Sequence, residues 1–375
     1  MSDRQRTSLG FIGRVVLKAA LLFILFNGFW TIANPLPILA RWTVYNTIVP
    51  SRPRLPFGES PAEAYNFSTF QLDAMFASHE IAASPASAEY RVGLIGDSSV
   101  WGFLLRPEQT LTGQLNALDL TTPDGRPVRF YNLGYPTISL TKDLLILERT
   151  AAYDPDMVVW LTTLEAMPNS KQIASPIVQH NAAEIGRLVQ GYHLNIDMND
   201  PAFVSPTIWD RTIMGQRREI ADVLRLNLYG FMWAATGIDQ VYPADYEPRA
   251  DDLEADESFY DITPPLTADD LALDVLDAGI AKAGVPVLIV NEPMFVSMGE
   301  NSDIRYNFFY PRWAYDDYRQ VLATEAAKRG WRYIDLWDAV ANTEYTNSAI
   351  HLTPEGERQL AQALVPALNA ILQEP

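Results

Sequence analysis

Tyr90-Arg-Val-Gly-Leu-Ile-Gly-Asp-Ser-Ser-Val-Trp-Gly102 is the stretch that decides the fold, because a short run of strand-forming residues breaks there into a glycine-flanked turn. The turn carries Asp97 and Ser98, and residues 109–118 after it have the pattern of an amphipathic helix. A strand–turn–helix unit places Ser98 at the carboxyl edge of a parallel sheet, where open α/β folds build their sites. We interpret Ser98 as a candidate nucleophile. A surface turn is the alternative, since Gly-Asp-Ser alone is a weak signal.

Outward from this unit, apolar strands alternate with helical stretches. The predicted strands are Arg91–Ile95, Val128–Asn132, Met157–Leu161, Val285–Val290 and Trp331–Asp335. The predicted helices cover residues 109–118, 139–152, 268–283, 313–329 and 354–372. This alternation predicts an α/β fold with a parallel sheet covered by helices on both faces. We assign residues 86–375 to this domain and residues 34–85 to a juxtamembrane linker and lead-in, in which prolines keep residues 50–57 extended.

Residues 165–265 fit the alternation poorly, and we interpret them as an insertion between the third and fourth strands. They contain one predicted helix, Arg217–Trp233, with an unusually aromatic end. We expect its apolar face to pack on the sheet. The alternatives are that it lines an acyl or glycan cleft or that it rests near a membrane.

The N-terminal segment Val15–Ala33 is apolar and long enough to cross a bilayer as one helix. Residues 1–14 form a leader that carries Arg4, Arg6 and Arg14, so the positive-inside rule predicts a cytoplasmic N-terminus. We therefore expect a single-pass cell-membrane protein whose main domain is extracytoplasmic. A cleaved signal peptide and a buried core helix are the alternatives.

Composition narrows the classes of function. The 375 residues are 48% hydrophobic, which suffices for a sizeable core, and the formal net charge of −18 argues against nucleic acid as a partner. The chain has no cysteine, so disulfides and thiolate metal sites are excluded. His79, His180 and His193 lack paired ligands at metal spacing, and the acidic run 250–257 lacks the spacing of a calcium loop, so we expect no metal and no cofactor.

Three motifs, the first of which is the serine turn itself, occur together with Gly102. They are Gly96-Asp97-Ser98, Tyr131-Asn-Leu-Gly134-Tyr-Pro136 and His351-Leu-Thr-Pro-Glu-Gly356. With them the chain resembles the SGNH (GDSL-like) hydrolase family. Within this family, residues 310–319 together with residues 333–338 resemble membrane-anchored members that act on surface glycans. The resemblance implies a flavodoxin-like three-layer sandwich. It also implies that Ser98 is the nucleophile, that His351 is the base, and that the amides of Ser98 and Gly134 hold the oxyanion.

The chain departs from the family at the acid that should orient the histidine. The family has an aspartate three residues before it, whereas this chain has Ser348. Asn347, Glu344 or Glu292 are the candidate substitutes, or the backbone holds the ring and leaves a Ser–His dyad. Without a family-type carboxylate, we expect the pKa of His351 to lie lower than in a complete triad.

A second departure follows the third predicted strand. The family has Gly-x-Asn-Asp there, with the asparagine donating to the oxyanion, and this chain has Glu165 near the asparagine's place. An ionised glutamate would repel an oxyanion, so Glu165 must be protonated, turned away or put to another use. Asp97 is a further accessory candidate beside Ser98.

Two hypotheses of different classes remain. The first is an extracytoplasmic, membrane-anchored serine esterase or O-acyltransferase that acts on acylated surface polysaccharide or a similar glycoconjugate. The resemblance implies, as a possible partner, a membrane-bound O-acyltransferase or another envelope complex. The second is a catalytically impaired protein of this fold that serves such a complex as a scaffold or glycan-binding subunit.

Overall fold

Five parallel strands form one sheet in the described part of the chain. The computed structural model describes residues 3–58, 62–84 and 88–374, with side chains from residue 10 onward. The strands are β1 Tyr90–Ile95, β2 Val128–Asn132, β3 Met157–Thr162, β4 Val287–Asn291 and β5 Arg332–Asp335, in the order β2-β1-β3-β4-β5. This order is that of flavodoxin-like folds, so the predicted fold class is confirmed.

Twelve α-helices surround or precede the sheet in the described part of the chain. They are α1 Asp3–Ala33, α2 Leu36–Ala40, α3 Leu72–Ser78, α4 Ser98–Trp101, α5 Leu111–Asn116, α6 Leu140–Thr150, α7 Pro176–His180, α8 Ala182–Tyr192, α9 Arg217–Thr236, α10 Leu273–Ala283, α11 Arg312–Arg329 and α12 Pro354–Leu372. The predicted core helices correspond to α5, α6, α10, α11 and α12. The sequence did not predict the short helices α2, α3, α4 and α7, nor α8.

The two faces of the sheet pack against different helices. Trp160 and Ile289 point into a cluster that contains side chains of α6, α10 and α11. Their neighbours Val159 and Leu288 point to the opposite face, where α5 and α12 cover them. Successive strand side chains alternate between faces, so a strand buried on both sides reads as a continuous apolar run. The result is the expected three-layer sandwich.

The helix predicted at 217–233 packs elsewhere than expected. Its inner face, represented by Leu226 and Trp233, contacts Leu36, Tyr45 and Phe67 in a third cluster beside the sheet domain. The expectation that this face lies on the sheet was wrong, because the five core helices already cover both faces of the sheet.

The segment at residues 50–57 contains no helix, in keeping with its prolines, and it is packed into the fold. Arg52, Arg54 and Leu55 are all buried. Two of the three carry charges that need partners in the interior, and these partners bear on the site described below.

The first helix includes a stretch, Gly10–Ala33, that is long and apolar enough to cross a membrane. Few of its side chains are buried in the protein. Length and composition are equally those of a membrane anchor and of an N-terminal signal sequence.

Candidate active site

Ser98 is the first residue of α4, directly after β1 and the two-residue turn Gly96-Asp97. The Asp97 carboxylate caps this short helix, since it accepts a hydrogen bond of 2.8 Å from the Ser99 N–H. Gly102 ends the helix in the left-handed region at a φ of 84°. A Cβ at Gly102 would also lie 2.3 Å from Thr110 Cγ2, so only glycine fits there.

His351 lies against the candidate nucleophile. Its Nε2 is 2.8 Å from Ser98 Oγ, and its Nδ1 is 3.0 Å from Asn347 Oδ1. With Nδ1–H donating to the amide oxygen, Nε2 carries the lone pair that accepts the serine proton. Phe103 stacks on the imidazole with ring centroids 5.2 Å apart. Burial of the ring lowers the pKa of His351 to about 4.

The partner of the histidine is therefore Asn347, four residues before it. Glu292, a second candidate, instead accepts a hydrogen bond of 2.5 Å from Ser99 Oγ. Glu344, the third, accepts one of 2.5 Å from Thr353 Oγ1. An amide can fix the tautomer of an imidazole, but it lacks the negative charge that stabilises imidazolium.

The two backbone amides that the resemblance assigns to the oxyanion differ in their hydrogen bonding. Ser98 begins a helix, and the first N–H groups of a helix have no intrahelical acceptor. The Gly134 N–H, in contrast, donates to Asn132 Oδ1 at 3.1 Å. This bond has to break before Gly134 can serve an oxyanion. A Cβ at Gly134 would lie 2.4 Å from Trp101 N, so close packing on α4 is a sufficient reason for this glycine.

Glu165 is put to another use, which is one of the three outcomes open for it. Its carboxylate lies 3.1 Å from Lys171 Nζ and accepts a hydrogen bond from Tyr260 OH. Tyr310 OH lies 3.3 Å from the Glu165 N–H. This carboxylate is thus paired with a lysine and a tyrosine, and it supplies no donor that would replace the family's asparagine.

A buried lysine stabilises the turn that carries Ser98. Lys142 Nζ donates to the Gly96 carbonyl at 2.7 Å and to Asp143 Oδ1 at 2.5 Å, and its side chain has no exposed surface. Burial raises the pKa of Asp97, while the Lys142 charge opposes this rise. Burial likewise raises the pKa of Asp143 to about 6. The sequence reading missed Lys142, because nothing in the pattern of the α6 sequence distinguishes it from a surface lysine.

Arg54 holds the other end of α4. Its guanidinium donates to the carbonyls of Gly102 and Leu105 at 3.0 and 2.9 Å, and its charge is paired with Asp239 at 2.6 Å. Gln240 Nε2 also donates to the same two carbonyls, at 3.0 and 2.8 Å. The turn that carries Ser98 is thus tied both to residues 50–57 and to the segment between β3 and β4. Sequence reading missed this clamp, which joins residues nearly half the chain apart.

Two cavities adjoin the site. A very small one behind Ser99 is lined in part by Glu292 and Glu357, and burial raises the pKa of both carboxyls well above the usual range. A larger open cavity of about 650 Å³ is lined by Phe57, Phe67, Phe70, Tyr135, Arg218 and Arg225, among others. Phe57 packs against Phe103, whose ring stacks on His351. The larger cavity therefore lies close to the Ser98–His351 pair without including it.

The remaining histidines have structural roles. His79 is buried and its Nε2 lies 2.9 Å from the Asn132 carbonyl, while His180 stacks on Phe70 and His193 ends α8. Across residues 3–58, 62–84 and 88–374, no group of three or more His, Asp or Glu side chains is placed to hold a metal ion.

No protein-family model matches the chain, and no curated protein matches its sequence. Among solved structures, a GDSL-family lipolytic protein from Veillonella parvula is 11% identical, with 74% of this chain and 96% of that one covered and a TM-score of 0.36. The aryl esterase of M. smegmatis is 14% identical over 76% and 100%, with a TM-score of 0.35. A carbohydrate acetylesterase family member from Sinorhizobium meliloti is 12% identical over 75% and 98%, with a TM-score of 0.33. Sequence identities and TM-scores this low carry no argument about the activity of this chain.

The chain's own geometry agrees with the resemblance read from its sequence. The sheet order is flavodoxin-like, the serine follows β1 on a capped turn, and the histidine before α12 reaches that serine. In its sheet order and in its Ser98–His351 pair the chain is SGNH-like.

Proposed function

We propose that this chain is a membrane-anchored, extracytoplasmic serine esterase or O-acyltransferase that acts on an acylated surface polysaccharide or glycoconjugate. The observation that carries the proposal is the 2.8 Å contact between Ser98 Oγ and His351 Nε2 at the carboxyl edge of the sheet. A serine within hydrogen-bond reach of a base that a third group orients is the signature of nucleophilic catalysis.

The proposed reaction has two halves. Ser98 Oγ attacks the ester carbonyl carbon while its proton passes to His351 Nε2, and the C–O bond to the sugar breaks as that proton returns to the leaving oxygen. The resulting acyl-serine is attacked by water or by a second hydroxyl, whose proton again passes through Nε2 and back to Ser98. Water as acceptor makes the protein a hydrolase, and a sugar hydroxyl makes it a transferase.

The site is built for slow turnover. A base with a pKa of about 4 is neutral at neutral pH, so it is available, but its weak basicity gives proton transfer little driving force. Asn347 orients the imidazole without stabilising its charge. With Gly134 N–H held by Asn132, the oxyanion lacks one of its assigned donors, a loss worth on the order of a hundredfold to a thousandfold in rate.

The test is the reaction of the full-length protein with a fluorophosphonate probe, together with hydrolysis of an acetyl-nitrophenol ester. We expect covalent labelling and slow hydrolysis by the wild type, and neither by Ser98→Ala. Ser99→Ala is the matched control, since Ser99 bonds Glu292 and not His351. Equal hydrolysis by wild type and Ser98→Ala would reject Ser98 as nucleophile.

The low pKa of His351 and the hydrogen bond that already occupies the Gly134 N–H favour one second candidate function. This candidate is a non-catalytic subunit that binds acylated glycan for a membrane-bound O-acyltransferase or another envelope complex. Under this alternative the probe labels neither wild type nor Ser98→Ala, whereas glycan binding persists in both. Labelling of Ser98 separates the two candidates, because a binding subunit has no need of a reactive serine.

A further inference from the structure

The helix α9 has two apolar faces, and only one of them is covered. Val223, Leu226 and Trp233 point into the third cluster and are less than a tenth exposed. On the other side lie Leu224 at 60% exposure, Leu228 at 65%, Phe231 at 48% and Met232 at 51%. These four positions recur with the spacing of one helix face, which we call the outer face of α9.

The outer face belongs to an element that is fixed beside the end of α1. Trp30 Nε1, in the last turn of α1, donates to Gln216 Oε1 at 2.6 Å, immediately before α9 begins. Further along, the Val44 N–H donates to Asn227 Oδ1 at 2.8 Å, and Tyr45 OH donates to the Leu226 carbonyl at 3.0 Å. The helix is therefore bonded to the chain on both sides of the point where α1 ends.

Exposed apolar side chains also occur on the segments that follow α1 and precede α9 in the sequence. Ile38 and Trp42, which follow α1, are 62% and 73% exposed. Ile208 and Trp209, which precede α9, are 80% and 62% exposed. Soluble proteins seldom expose so many large apolar side chains on segments joined to one another, and tryptophan is typical of the membrane–water boundary.

The distribution of charge indicates what covers this apolar surface. Residues 226–236 of α9 contain no charged side chain, whereas the whole chain carries a formal net charge of −18. So acidic a protein is repelled by anionic headgroups unless an uncharged surface faces them. Since Gln216 is bonded to the last turn of α1, the bilayer that holds α1 is the apolar medium nearest to this surface.

We propose that the outer face of α9 lies in the boundary between headgroups and acyl chains of the bilayer that anchors α1. The domain then rests on the membrane at two places, α1 and α9. The inserted segment that carries α9 also carries Asp239 and Gln240, so the support of the serine turn begins at the membrane surface. The proposal requires α1 to be an anchor, but it holds whether or not Ser98 is reactive.

The absence of cysteine makes a direct test possible, because any introduced cysteine is the only one in the chain. Full-length Leu228→Cys and Leu224→Cys, labelled with an environment-sensitive fluorophore, are placed in nanodiscs of phosphatidylcholine and phosphatidylglycerol. Leu22→Cys reports α1, and Met298→Cys is the matched control, an apolar side chain that is 80% exposed outside α9.

We expect doxyl-labelled lipid to quench the fluorophore at Leu22, Leu228 and Leu224 severalfold more than at Met298. Quenching at Leu22 with none at either α9 position would overturn the proposal, and so would no quenching at any position. Nanodiscs that hold one copy of the protein are compared with nanodiscs that hold two, to test whether a second copy covers the outer face of α9. If the α9 signal responds to the number of copies and not to the labelled lipid, the face is a dimer contact and the proposal fails.

Discussion

At the scale of single residues, Asn347 is the side chain that most limits the proposed chemistry. Its amide oxygen accepts the Nδ1–H of His351 at 3.0 Å, which is the place that a carboxylate occupies in a complete triad. A carboxylate there would stabilise the imidazolium that forms when Ser98 attacks. An amide leaves that charge without a partner.

We predict that Asn347→Asp raises kcat/KM for small esters by about tenfold to a thousandfold, because an aspartate stabilises the charged ring. Ser348→Asp is the matched control. It stands three residues before His351, where the family resemblance puts the acid, but Asn347 already bonds the ring, so we expect no gain from it. Steady-state kinetics on both variants decide the matter. Acceleration by Ser348→Asp alone would mean that the loop is arranged as in the family.

The pH profile is a second prediction at this scale. Burial lowers the pKa of His351 to about 4, so the ring remains neutral and able to accept a proton down to that pH. The acid limb of kcat/KM should therefore fall near pH 4, and not near the ordinary histidine value of about 6.5. In Asn347→Asp the added negative charge favours imidazolium, so the limb should move to higher pH. An acid limb near 6.5 in the wild type would contradict the buried environment.

At the scale of elements, the sequence predicted the strands and the pairing of Ser98 with His351, but it left several candidate partners for His351. Met157–Leu161 was predicted and Met157–Thr162 is observed, because a strand buried on both faces is an apolar run visible locally. The partner of His351 depends on the turn at 346–351, which the His351 carbonyl closes by accepting the Thr346 N–H at 2.8 Å. The family's spacing, with the acid three residues before the histidine, points to residue 348. In this chain the turn places Asn347 against the imidazole instead.

The clamp between Arg54 and Asp239 is the element-scale feature that we expect to position Ser98. Asp239→Asn leaves a buried guanidinium without its counter-charge, which costs about 3–5 kcal/mol of stability. Replacing both partners, as Arg54→Met with Asp239→Leu, removes both charges and should recover much of that loss. It still deletes the hydrogen bonds to the carbonyls of Gly102 and Leu105.

We therefore predict that the double variant regains thermal stability while its kcat and its rate of fluorophosphonate labelling stay low. Thermal denaturation and labelling kinetics on the same samples separate the two effects. A double variant that regains stability and full reactivity together would assign Arg54 a purely structural role.

At the scale of the whole molecule, the sheet domain and α9 differ in how far their packing could be predicted from the sequence. The sheet with its five core helices was predictable because each element is amphipathic or apolar within its own sequence. The packing of α9 was not, because its inner face meets Leu36 and Tyr45, far away in sequence. Local pattern shows that a helix has an apolar face and leaves open what covers it.

Topology is the prediction that belongs to this scale. The arginines at positions 4, 6 and 14 precede the apolar segment Val15–Ala33, so the leader should stay in the cytoplasm and the main domain should lie outside. Since the chain has no cysteine, a membrane-impermeant maleimide added to intact cells should label Met298→Cys at once. Ser8→Cys, in the leader, should react only after the membrane is permeabilised. Equal protection of both sites would place the main domain inside the cell, and a mature protein lacking the leader would identify α1 as a cleaved signal sequence.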